Sequence, residues 1–122
     1  MKSLDHRYAE AAYSAVSQLE NKSVEAKEFF RRSREFPSLV LLNGLRLTVV
    51  FYESKSKSKD NNSYKHYLEL LAEALDMPCL SARSLPEDSG AYRHLARRAL
   101  RASAWIKRYC EAMLDDPEGA TV

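Results

Sequence analysis

The sequence predicts an all-α fold, a compact helical bundle of about five main helices, and three observations carry that expectation. Only three glycines and four prolines punctuate 122 residues, whereas an all-β chain needs a turn roughly every 8 to 12 residues. Hydrophobic residues make up 45% and charged residues 30%, enough apolar surface to fold and too much charge for a membrane protein. Apolar residues recur at i, i+3 and i+4 through most of the chain, which is the spacing of one face of a helix.

The first helix is expected from about Ser3 to Glu20, with Leu4, Tyr8, Ala11, Ala12, Ala15 and Leu19 on one stripe and Ser3 as N-cap. The second runs from about Ser23 to Glu35, carries Val24, Phe29 and Phe30 inward and ends before Pro37, since proline disfavours helical geometry in the residue preceding it. A third helix is expected from Pro37 to about Glu53, apolar on nearly every side and so central. Its Gly44 costs roughly 1 kcal/mol relative to alanine, which predicts a close crossing by another backbone there. Leu42, Leu45, Leu71 and Ile106 are expected to be buried together.

Residues 54–62 read SKSKSKDNN, the composition of a flexible lysine and serine loop. A fourth helix follows from Ser63 to about Asp76, with Tyr64, Tyr67, Leu68, Leu71 and Leu75 on its stripe and Pro78 beyond its end. Ser84, Pro86 and Glu87 fit a capping box on a short helical turn. The fifth and longest helix is expected from about Ala91 to Leu114, followed by a short acidic tail with Asp115, Asp116 and Glu118. One domain spanning residues 1–122 is expected, because two cores in this length would each be marginal.

Cys79 and Cys110 have no metal-site spacing and read as buried small hydrophobes. The first twenty residues lack an apolar run between charges, and the longest apolar stretch, Phe36 to Tyr52, is broken by Asn43 and Arg46 and falls short of the ~20 residues a span needs. A cytoplasmic location is expected. His6, His66 and His94 stand in separate segments, and no nucleophile, metal or nucleotide motif occurs. No enzyme activity, cofactor, metal or small-molecule substrate is expected.

The formal net charge is only +2, so distribution rather than balance matters. Residues 91–110 contain Arg93, Arg97, Arg98, Arg101, Lys107 and Arg108 and no acid. At about 100° per residue, Arg93, Arg97, Arg101 and Arg108 project opposite the stripe of Leu95, Ala99, Ala102, Ile106 and Cys110. Guanidinium groups a helical turn apart can follow a phosphate backbone; a solvated helix face is the alternative. Arg31, Arg32 and Arg34, with Lys55, Lys57 and Lys59, would widen the basic surface if the fold brings them near. Tyr92 or Trp105 would stack on bases if exposed, and would pack in the core otherwise.

The order of these elements resembles a known family. The opening helix with Arg7, Ala9 and Ala12, the step at Phe36 and Pro37, the helix with Gly44, Leu45, Phe51 and Tyr52, and the last helix with Ala102, Trp105, Ile106, Lys107 and Arg108 are similar to the small, fifth subunit of the type III-B CRISPR effector complex. Phe36 departs from the leucine usual before that proline. The resemblance implies a non-catalytic subunit acting in antiviral defence, with backbone subunits, a large polymerase-like subunit, further copies of itself and the guide RNA and target RNA as partners. A type III-A small subunit, or a helical adaptor that binds only protein, would use the same elements.

Overall fold

A computed structural model describes residues 3–57 and 62–118. Five α-helices, α1 (Leu4–Ser17), α2 (Val24–Asn43), α3 (Leu45–Ser56), α4 (Ser63–Ala74) and α5 (Ser89–Met113), and a 3-10 turn at Ala82–Ser84 account for its regular structure, with no strand among the described residues. No helix among them is long and apolar enough to cross a membrane. Helix α5 packs along α1 and α2, α4 lies against α1, α2 and α3, and α3 rests on α2, α4 and the 3-10 turn.

Local chemistry sets most of the helix ends. Ser3 Oγ accepts from the His6 amide at 3.1 Å and Ser23 Oγ from the Ala26 amide at 3.0 Å, each satisfying an amide that the first turn leaves without a helical partner. Asp88 does the same for Ala91 at 2.9 Å. The expected capping box at Ser84 and Glu87 lies three residues upstream instead: Ser81 and Ser84 exchange side-chain and backbone bonds around the 3-10 turn.

The boundary between α2 and α3 differs from the sequence expectation. Helix α2 runs straight through Pro37 and stops at Gly44. Its buried residues Ala26, Phe29, Phe30, Ser33, Phe36 and Val40 form one stripe that crosses the proline without a break. Proline inside a helix costs about 3 kcal/mol, while burying Phe36 and Val40 contributes about 1.5–3 kcal/mol each, so continuing the helix wins. Gly44 then turns the chain at φ +87° and ψ 164°, a region open essentially to glycine alone.

That corner decides which leucines are inside. Leu45, Leu71 and Ile106 are buried, but Leu42 is 79% exposed, because it stands two residues past Val40 and points away from the α2 stripe. Helix α3 is not apolar all round in its packing either: Leu45, Thr48, Val49 and Tyr52 face inward, whereas Leu47, Val50 and Phe51 are exposed, as is Leu41 of α2. The core gathers around an aromatic group in which Phe36 meets Tyr52 and Tyr67 at 5.3 and 5.0 Å between ring centres. Cys110 is buried as expected, and burial pushes its thiol up to about 11. Cys79 is exposed, since it follows Pro78 in the irregular connection after α4.

Candidate nucleic-acid interface

Helix α5 presents its arginines as the helical spacing requires, with Leu95, Ala99, Ala102, Ile106 and Cys110 inward and Arg93, Arg97, Arg101 and Arg108 toward the surface. Contacts from other elements then sort the cations. Arg93, Arg97, Lys107 and Arg108 form no hydrogen bond or ion pair among the described residues. Arg101 is held by Asp5 of α1 through two bonds, 2.7 Å to Oδ1 and 2.6 Å to Oδ2. Those bonds, with one from Trp105, hold the Asp5 carboxyl well below its ordinary 3.8, at about 2. Arg98 is a brace: its Nε donates to the Tyr8 hydroxyl at 3.2 Å and its Nη2 to the Leu75 carbonyl at 3.1 Å, a cation on the C-terminal end of α4.

The arginines of α2 serve the fold. Arg34 grips Asp116 through two bonds of 3.0 and 2.7 Å, and Arg31 joins Glu28 at 2.6 Å and Glu118 at 2.8 Å. Arg32 is buried over the Tyr64 ring, 4.1 Å from its centre. Asp116 and Glu118, after α5, therefore lie against α2 instead of standing free in solvent. Lys55 sits over Phe51 and, with Lys57, belongs to the end of α3 remote from the Tyr92 contact. Lys59 lies outside the described residues. Of the twelve basic positions singled out in the sequence, the structure leaves Arg93, Arg97, Arg101, Lys107 and Arg108 along the outer side of α5, while Arg98 is committed to α1 and α4.

Tyr92 is committed too. Its hydroxyl accepts from the Arg46 amide at 2.8 Å, supplying the cap that Gly44 has no side chain to give α3, and the Arg46 guanidinium lies over its ring at 5.2 Å. Trp105 is half-buried at the surface, beside the strip. Two open hollows follow α5: one of about 460 Å³ against α1, where Asp5, His94, Arg97 and Arg101 meet, and one of about 250 Å³ lined by Arg101, Ala104, Trp105 and Arg108. The sequence reading assigns Asp5 no part in this surface, although it holds both Arg101 and Trp105. An acid in the first turn of a helix ordinarily serves its own dipole, and nothing local announces a partner 96 residues away.

On α2 and α3, either side of Gly44, Leu41, Leu42, Leu47, Val50 and Phe51 are each exposed. Exposed apolar side chains mark contact with another molecule where they form one large patch.

A family model for a CRISPR-associated protein (Cas_Cmr5) matches residues 4–113. The crystal structure of a CRISPR-associated Cmr5 family protein from Thermus thermophilus is similar to this chain with a TM-score of 0.79, covering 94% of this chain and 100% of that one at 24% identity. That likeness is one of fold. No curated protein matches the chain.

Proposed function

Because the chain belongs to the CRISPR-associated Cmr5 family, we propose that it is a non-catalytic small subunit of a type III-B ribonucleoprotein effector complex that contacts RNA backbone while packed against other subunits. The observation that carries this reading is the α5 strip. Arg93, Arg97 and Arg108 point outward without an ion-pair partner among the described residues, and no acid occurs on α5 between residues 91 and 110. Phosphate contacts of this kind position a chain without reading bases, so they suit a subunit that leaves sequence recognition to guide pairing. The exposed apolar side chains on either side of Gly44 suit the protein side of the assembly, with backbone subunits, the large subunit or another copy as partner.

The test is the RNA affinity of the reconstituted complex at one moderate salt concentration. Arg93→Ala, Arg97→Ala and Arg108→Ala together should weaken binding about 3- to 150-fold, since exposed charge pairs contribute about 0.2–1 kcal/mol each. Arg34→Ala should leave the affinity unchanged, its charge being matched by Asp116. Equal affinity in the triple variant, with assembly intact, would favour an adaptor that touches only protein.

A further inference from the structure

Trp105 is the chain's one tryptophan, and its surroundings fix it in place at the surface. The indole Nε1 donates to Asp5 Oδ1 at 3.2 Å, and the same carboxylate holds the Arg101 guanidinium. One acid of α1 therefore orients both a ring and a cation on α5. The indole lies nearly parallel to Tyr109, at 28° with ring centres 6.3 Å apart. Tyr109 in turn meets the exposed ring of Tyr13 edge-on at 5.8 Å.

Beside the indole opens the hollow lined by Arg101, Ala104, Trp105 and Arg108. These positions, i, i+3, i+4 and i+7, share one helix face. Ala104 contributes only a methyl group, which leaves the space open, and the two arginines stand about 10 Å apart along the helix axis. Flat ring, open floor and a cation at either end match a nucleotide: a base has a π-face, and its flanking phosphates seek guanidinium groups. A protein anchor would instead need an apolar surround that excludes water, and here the rim carries Arg108, without a partner among the described residues, and Arg101, whose Nε and Nη2 are taken by Asp5 while its Nη1 has no partner among them.

We propose that this hollow takes one unpaired nucleobase of single-stranded RNA, stacked on Trp105, with the neighbouring phosphates on Arg101 and Arg108 and Asp5 as a positioning residue. The proposal rests on the RNA-contact reading above and adds a base-contacting site to it.

The single tryptophan makes the site its own reporter, because stacking on a base quenches indole emission. The full chain is titrated at low salt with an oligouridylate and with duplex RNA of equal charge. The single strand should quench emission saturably and the duplex should not. Trp105→Ala should weaken oligouridylate binding about 5- to 20-fold, Trp105→Phe should recover most of that loss, and neither should change the salt dependence. Asp5→Asn should reduce the quenching while keeping or tightening the binding, since it frees the indole yet removes a negative charge; a merely structural role would not split the two readouts.

No quenching up to millimolar oligouridylate, or unchanged affinity in Trp105→Ala, overturns the stacking site. The backbone reading is judged separately, by the Arg93, Arg97 and Arg108 variants in the assembled complex. Loss of the Trp105→Ala chain from that complex, with RNA affinity of the remaining particles unchanged, would make Trp105 a protein contact and likewise overturn the proposal.

Discussion

A Cβ added at position 44 would find the Tyr92 hydroxyl 3.8 Å away and no closer neighbour, which is ordinary contact. The glycine is therefore required by its backbone angles and not by a crowding helix. Gly44→Ala and Gly44→Leu should each lower stability by a similar amount, about 1–3 kcal/mol, read as a melting temperature several degrees lower. A harmless Ala with a damaging Leu would restore the crossing explanation. A glycine amid strong helix formers is legible as a special position, but sequence does not tell a positive φ from a close approach. The cysteines show the same limit at this scale. Native chain should react at one thiol, Cys79, and unfolded chain at two, as measured with a thiol reagent; two reacting in the native state would show that Cys110 is not sealed. Both look alike in the sequence, where neither sits in a motif.

Among the elements, α1, α4 and α5 were legible almost to their ends, because Ser3, Pro78 and unbroken i, i+4 stripes mark them. The α2 to α3 region was not, since Pro37 sends a strong local stop signal that the buried line from Phe29 through Phe36 to Val40 overrides. Five residues before the proline, Tyr52 reaches from α3 and donates its hydroxyl to the Arg32 carbonyl at 3.0 Å. The residue is fully buried, and burial raises its phenol above the ordinary range, so the hydroxyl keeps its proton and donates at neutral pH. Tyr52→Phe should cost about 1 kcal/mol in a denaturant melt; an unchanged midpoint would mean that the bond contributes nothing to holding α3 on α2. The arginine strip was half legible for a related reason. Periodicity placed Arg93, Arg97, Arg101 and Arg108 on one face, yet the partners that commit Arg98 and Arg34 elsewhere lie 23 and 82 residues away, beyond any local pattern, and of the two acids that hold Arg31 only Glu28, three residues before it, is local.

On the scale of the whole molecule, two surfaces divide the proposed work. On either side of Gly44 apolar side chains are exposed, and along α5 runs a row of cations; the net charge of +2 hides the second because the acids lie elsewhere. The all-α class was visible from composition and spacing alone. The exposed corner was not, because a segment apolar on nearly every side reads as core until a turn at Gly44 gives it an outside. The central claim, that the α5 strip lies along RNA backbone, is tested most directly by the salt dependence of RNA binding to the reconstituted complex. Each phosphate contact adds about 0.7 to the slope of log affinity against log salt for a single strand, so the Arg93, Arg97 and Arg108 triple alanine variant should flatten the slope by about two with base preference unchanged. The same slope and affinity in both complexes, with the variant subunit still in place, would contradict it.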